Sequence, residues 1–264
     1  MKYKLTDTFK TQGGIASLQS VILEDGRQAV LRKLHFGKLL NFGVRGSFIS
    51  GTKIRQELQG NQNIVVSYER GGVFWPYEIL EYVPGINFHV AMNRKDDYLK
   101  RNRLNLLRQA AKALAWVHSR GYMHLDVKPE NYLILNSLKD GPIVKLTDFD
   151  LARPALDNGP RRQTGTPDFM APEQFNEKRS YQASDVFAFG IMAYRLMTGK
   201  LPFNGSTEKS TWKKQASLTV VPKAPHEIAN DIPYRLEMAI VRALEKSLSK
   251  RLPNMTAFLH EWDS

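Results

Sequence analysis

Residues 122–135 read YMHLDVKPENYLIL, and the spacing inside this stretch decides how the rest of the chain is read. Asp126 is followed by Lys128 and then by Asn131, directly after a segment of helical spacing. Further on stands Asp148, in the run TDFD that closes with Asp150. Three oxygen-bearing side chains and one ammonium on adjacent loops can bring together a divalent metal, a polyphosphate and a hydroxyl nucleophile. A hard ion such as Mg²⁺ takes carboxylate and amide oxygens together with phosphates. Phosphoryl transfer, in turn, asks mainly for positioning and charge neutralisation. Taken singly, Asp126 reads as a cap between helix and loop and His124 as a core histidine. The combination carries the chemistry.

Outward from that stretch the chain divides into two textures. Up to about Leu80 short strands dominate: SLQSVILEDG and RQAVLRKL flank an Asp25-Gly26 turn in hairpin style, and NIVVSYERGGVFWPYEILEYV offers two more. From about Leu104 helices take over. RLNLLRQAAKALAWVHSRG places Leu104, Leu107, Ala111, Leu114 and Val117 on one face and stops at Gly121. ASDVFAFGIMAYRLMTGK is apolar enough to be buried on all sides, and DIPYRLEMAIVRALEKSLSK reads as a further helix. Between the halves EYVPG, residues 81–85, breaks both patterns.

Composition bounds the possibilities. With 264 residues and 42% hydrophobic content the chain can bury a real core, as one large domain or as two lobes sharing a cleft. There is no cysteine, which excludes disulfides and thiolate metal sites. No segment approaches the ~20 apolar residues of a membrane span, and the start lacks a long apolar run after its lysines. The expectation is a soluble cytosolic protein. The formal charge of +12 attracts polyanions, and between Gly26 and Gln56 there is no Asp or Glu. Arg27, Arg32, Lys33, Lys38, Arg45, Lys53 and Arg55 fall there, and the first expectation for them is a solvated basic face. The other is a docking surface for an acidic protein, with nucleic acid the less favoured alternative.

HLDVKPEN resembles the catalytic loop H-R-D-x-K-x-x-N of eukaryotic-type (Hanks-type) Ser/Thr protein kinases. GTPDFMAPE is similar to that family's substrate-binding segment, SDVFAFGIMAYRLMTGKLPF to the helix and loop after it, and EKSLSKR to the late arginine segment. EILEYVPG resembles the hinge. TQGGIASLQSV looks like a degenerate glycine-rich loop in the style of bacterial members. The motifs occur in the family's order over nearly the whole chain. The resemblance implies an α+β, bilobal kinase fold: a small β-rich N-lobe with one helix over residues 1–80, a hinge at 81–85 and a larger helical C-lobe over 86–264.

The same resemblance implies a cytoplasmic protein serine/threonine kinase that transfers the γ-phosphate of ATP, with Mg²⁺, to Ser/Thr of a protein substrate. Asp126 would accept or orient the hydroxyl proton, Lys128 would steady the transferred group, and Asn131 and Asp148 would hold the metal. Gly13, Gly14, Leu18, Val30, Arg32, Leu80, Glu81, Val83 and Leu133 would bind the nucleotide, with hinge backbone at Glu81 and Val83 meeting adenine. Glu173 would pair with Arg251, and Asp185 would anchor the catalytic loop. Lys128 together with Thr166 resembles the Ser/Thr-directed branch.

Four departures qualify the resemblance. The family's strand lysine falls on Arg32 when counted from Gly26, and alternation then puts Val30 and Leu34 on the same inward face, while Lys33 points away. Arginine keeps the charge but not the shape. The glutamate that should hold this cation is missing, because the preceding helical region offers Ser, Gly, Thr and Lys, and Glu57 stands too close to Asn63. Asp150 replaces the glycine of the metal-binding triplet and is read first as a turn cap, second as an extra carboxylate near the metals. Leu125 replaces the arginine that receives a loop phosphate, which leaves Thr164 and Thr166 poor candidates for a phosphorylation switch and Arg161 and Arg162 facing substrate or solvent. In the glycine loop, Thr11, Gly13 and Ala16 stand where three glycines are expected. These departures keep a second reading open, a pseudokinase that binds nucleotide or docks partners without turnover.

Overall fold

Alternating hydrophobicity and turn chemistry fold the first part of the chain into one antiparallel sheet. In the computed structural model, which describes residues 2–12, 14–94, 97–137, 141–160 and 165–264, strands β1 (Tyr3–Gln12), β2 (Ala16–Leu23) and β3 (Gln28–Leu34) follow as a meander. Helix α1 (Phe42–Glu57) comes next, then β4 (Ser67–Gly71) and β5 (Tyr77–Glu81). The strand order is β1-β2-β3-β5-β4. Gly26 turns the β2-β3 hairpin at φ 82°, a left-handed backbone that glycine adopts without cost.

Alternation along β3 sorts its residues between two faces. Ala29 and Leu31 join Val21, Leu23 and Ile79 in a small cluster on one side. On the other, Leu34 meets Phe48 of α1. Arg32 belongs to this second face. It stands opposite Leu18 of β2 and Glu78 of β5, while Val30 stands opposite Leu80.

The second part begins with β6 (Gly85–Asn87), α2 (Phe88–Asn93) and α3 (Asp97–Ser119). Strands β7 (Tyr122–Met123), β8 (Tyr132–Ser137), β9 (Gly141–Leu146) and β10 (Arg153–Pro154) follow. Helices α4 (Pro172–Asn176), α5 (Gln182–Thr198), α6 (Glu208–Ala216), α7 (Tyr234–Ala243) and α8 (Met255–Asp263) complete it. The order β6-β8-β9 makes a small sheet, and β7 pairs with β10. At Gly85 the chain enters this sheet so tightly that a β-carbon would lie 1.9 Å from the Ile134 carbonyl oxygen. Only glycine allows the crossing.

Helix α5 is the axis of the larger core, buried from Ala183 to Tyr194 without interruption. Its Phe189 meets Tyr132 and Phe258 edge-on, with ring centroids 6.5 and 5.2 Å away. Two expectations need correction. Leu104 is 38% exposed, so the buried stripe of α3 runs through Leu106, Leu107, Ala110, Ala111, Leu114 and Val117 instead. The last long helix stops at Ala243, and residues 244–250 form turns that deliver Arg251 into the core. Among the described residues no helix is long and apolar enough to cross a membrane.

Candidate active site

The loop after β7 is held from below by one buried carboxylate. Asp185, near the start of α5, accepts hydrogen bonds from the backbone N–H groups of His124 (2.7 Å) and Leu125 (2.8 Å). His118 Nε2 adds a third contact at 3.0 Å. The anchoring lets Leu125 take a left-handed backbone (φ 62°), a strain a branched side chain tolerates only where its surroundings impose it. His124 Nδ1 accepts from the Asp126 N–H (3.2 Å), so Nε2 carries the proton it gives to the Thr147 carbonyl (3.0 Å). That bond ties the loop to the strand end before Asp148.

Asp126 is the centre of a tight polar cluster. Thr166 Oγ1 donates to its Oδ1 at 3.0 Å, and Asn131 Nδ2 donates to its Oδ2 at 3.0 Å and to its backbone oxygen at 2.8 Å. Lys128 Nζ lies 2.8 Å from Oδ2 and donates to Thr166 Oγ1 at 2.9 Å. Gly165 delivers Thr166 at φ 113°, with space for a β-carbon limited by the Leu125 carbonyl at 3.2 Å. Both Asn131 contacts use the amide nitrogen, which leaves its Oδ1 to face a cation.

Across the cleft, Arg32 points inward and Lys33 does not. Lys33 Nζ sits 3.8 Å over the Trp75 ring on the other face. Arg32 is 7% exposed, with Nη2 in direct ion pair with Asp150 and 3.9 Å from Asp148 Oδ1. Its Nη1 is 3.9 Å from Glu78 Oε2, and its Cζ stands 4.5 Å from the Phe48 ring. Burial works against the guanidinium's charge, but Asp150, Asp148 and Glu78 together raise its pKa.

The absent helix glutamate has been replaced from elsewhere. Helix α1 turns Phe48, Gly51, Thr52, Ile54 and Arg55 inward. Arg55, 1% exposed, puts Nε 3.3 Å from Glu78 Oε1 and donates from Nη1 to Thr147 Oγ1 at 3.0 Å. Glu57 is remote from this cluster, at the helix end, accepting from the Tyr122 hydroxyl. The basic stretch is therefore not wholly a solvated face, since Arg32 and Arg55 are core residues. Nor does Asp150 serve as a turn cap: it pairs with Arg32.

Three carboxylates (Glu78, Asp148, Asp150) against two guanidiniums (Arg32, Arg55) leave one negative charge in excess. Burial, with Asp148 beside it, pushes the Asp150 carboxyl up to about 6 despite Arg32. Burial also acts on Asp148, but Arg32, Arg55 and His124 outweigh it and hold that carboxyl below its usual range. Asp148 takes φ 60° and keeps its side chain 42% exposed. An ionised, accessible carboxylate, a free amide oxygen and surplus negative charge fit a hard divalent cation. Among the described residues no group of three or more His, Asp or Glu makes a complete protein cage, which agrees with Mg²⁺ drawing its remaining ligands from phosphate and water.

Among the residues expected to bind nucleotide, Val30 and Leu80 share a row of the sheet, and Leu18 shares one with Arg32. Leu133 lies opposite Lys145, whose ammonium reaches Glu81 Oε2 at 2.9 Å. The Glu81 carboxylate also accepts from the Val66 N–H (3.0 Å), and its own N–H is given to the Val66 carbonyl (2.8 Å). Gly14 is open on all sides, while Gly13, Arg161, Arg162 and Thr164 lie outside the described residues.

Below the cleft, Arg251 grips Glu173 with two parallel bonds of 2.7 and 2.9 Å, and Ser184 Oγ donates to the same carboxylate at 2.6 Å. Sequence reasoning missed Glu78, Arg55 and Phe48. The available signal was the carboxylate of Glu78, beside Ile79 and Leu80 in the strand YEILE, which acquires meaning only once β3 and β5 are in register.

Residues 45–262 match the profile of the protein kinase domain. A probable serine/threonine-protein kinase of Clostridium acetobutylicum is 30% identical over 205 residues, 76% of this chain and 30% of the relative. A probable serine/threonine-protein kinase of Bifidobacterium longum is 28% identical over 258 residues, 93% of this chain and 31% of the relative. The smooth-muscle myosin light chain kinase of Gallus gallus is 31% identical over 188 residues, 70% of this chain and 10% of the relative. The chain thus spans about a third or less of the length of these curated relatives. With most of its residues inside that profile and its polar cluster built from the matching segment, the chain belongs to the protein kinase domain family.

Proposed function

We propose that the chain is an ATP- and Mg²⁺-dependent protein serine/threonine kinase whose reaction is carried by Asp126. The observation behind this reading is the interlocked set Asp126, Lys128, Asn131 and Thr166, on a loop that His124 ties through the Thr147 carbonyl to the backbone just before Asp148. The names of the bacterial relatives support the same activity and a Ser/Thr acceptor.

Asp126 orients the acceptor hydroxyl and takes its proton as the phosphoryl group departs from ATP. Lys128, already within 3 Å of both Asp126 and Thr166, neutralises charge on the transferred group. Arg32 meets the α and β phosphates. Asn131 Oδ1 and the Asp148 carboxylate would hold Mg²⁺, which supplies charge neutralisation on the phosphates when bound. Leu18, Val30, Leu80, Val83 and Leu133 enclose adenine, with Gly13 and Gly14 near the phosphates and backbone at Glu81 and Val83 as its hydrogen-bonding edge. Residues 81–85 act as the hinge between lobes 1–80 and 86–264.

The substrate is a protein segment bearing Ser or Thr, the basic N-lobe face receives an acidic partner, and the site of action is the cytoplasm. The test is transfer from labelled ATP with Mg²⁺ to a generic basic substrate, comparing wild type with Asp126→Ala. Loss of about 10²-fold or more in the variant, with nucleotide affinity retained, is expected. Equal transfer by both would overturn the assignment of Asp126.

A further inference from the structure

In the family arrangement, the strand cation is held by a carboxylate from the first helix. Here nothing on α1 can do so, because the residue beneath Arg32 is Phe48, with its ring 4.5 Å from Cζ. Among the described residues the carboxylate nearest the guanidinium is Asp150, two residues beyond Asp148, while Glu78 and Asp148 each stand at 3.9 Å. Asp150 is not a surface residue that happens to be near: its side chain is 12% exposed.

Helix α1 is fixed by separate means. Its own cation, Arg55, spans Glu78 on β5 and Thr147 just beyond β9. Its backbone also abuts the loop, since a β-carbon at Gly51 would lie 2.6 Å from the Phe149 carbonyl oxygen. The helix therefore contributes a cation and a close backbone contact, while the carboxylates come from β5 and from the loop.

We propose that Asp150 is a positioning residue: it takes the place of the helix carboxylate and sets Arg32 at the phosphate end of the cleft, while Arg55, through Glu78 and Thr147, pins α1. The proposal rests on the nucleotide-binding reading above. Its consequence is that the loop carrying Asp148, and not the position of α1, determines where the phosphate-binding cation stands. An Asn at 150 keeps the shape and loses the charge; a Gly restores the triplet the resemblance expects and loses the holder altogether.

The experiment titrates a fluorescent ATP analogue into wild type, Asp150→Asn, Asp150→Gly, Asp150→Gly combined with Phe48→Glu, and Glu57→Gln. Each titration is done with Mg²⁺ and with chelator, with KM and kcat for phosphate transfer measured alongside. Both Asp150 single variants should weaken binding at least about tenfold, the range of a charged hydrogen bond, in either buffer. KM for ATP should rise more than kcat falls. Phe48→Glu, placed beside the guanidinium, should recover affinity in the glycine background, and Glu57→Gln should match wild type. Affinities and KM within twofold of wild type in both single variants would overturn the proposal. So would a loss seen only with Mg²⁺, which would make Asp150 a metal ligand. If the Phe48→Glu variant does not fold, the single variants decide alone. A wild type that binds the analogue without transferring phosphate would sink the kinase activity and leave this test standing.

Discussion

Arg55 Nε on α1 lies 3.3 Å from Glu78 Oε1 on β5, so the helix supplies the cation of this buried ion pair and the strand supplies the carboxylate. Both side chains are buried, at 1% and 0% exposure, and Glu78 also faces Arg32 across the ladder. Charges this deep are costly unless every partner is present.

Breaking that pair from one side should therefore be severe. Arg55→Met and Glu78→Gln should each lower stability by about 3–5 kcal/mol in denaturant unfolding, because each strands the other charge. The double variant Arg55→Met with Glu78→Met should lose less than the sum of the singles. Strict additivity would show that the two side chains do not depend on each other.

Arg32→Lys, the change toward the family's usual residue, should lower phosphate transfer and not raise it. The guanidinium presents two terminal nitrogens, Nη2 against Asp150 and Nη1 towards Glu78. A single ammonium cannot span both directions. A rise in kcat/KM for ATP in this variant would mean that arginine restrains the enzyme.

Gly51→Ala separates helix propensity from packing. On propensity alone alanine should stabilise α1 by about 1 kcal/mol. The added β-carbon would, however, sit 2.6 and 2.8 Å from the Phe149 carbonyl oxygen and carbon, which are backbone atoms unable to rotate away. The melting temperature should fall and nucleotide affinity with it. A melting temperature above wild type would show that α1 does not bear on the loop.

Lys246 gives stability a pH dependence above neutrality. Burial, together with nearby Arg251, pushes its amine down to about 7, although Nζ donates to the Gln215 carbonyl and lies 3.5 Å over the Phe203 ring. The folded pKa is below the unfolded value, so between about pH 7 and 10.5 the unfolded chain binds more protons and stability rises with pH. Below that window the full cost of the buried charge remains. Relative to Lys246→Met, wild type should gain stability between pH 7 and pH 9 in matched urea titrations. Parallel curves would remove Lys246 as the cause.

The polar loop was readable because its members are neighbours in sequence: Asp126, Lys128 and Asn131 lie within one turn and its flanks, and their mutual bonds are local. The inward choice of Arg32 over Lys33 was also readable, since strand alternation depends only on counting from the Gly26 turn. The central helix α5 announced itself by its unbroken apolar run.

What holds Arg32 could not be read this way. Asp150 is 118 residues away in the chain, and in isolation an aspartate after Phe149 looks like a turn cap. Arg55 looked like one more charge on a basic surface until the burial of α1 against Glu78 and Thr147 gave it partners. By itself the sequence determined the division into a strand-rich and a helical part, the loop that carries Asp126, Lys128 and Asn131, and the face on which Arg32 stands, because these follow from local spacing and period. The tertiary structure alone decided which carboxylates serve that cation, because ion pairing depends on distance in space and on the exclusion of water, and neither is written in the order of residues.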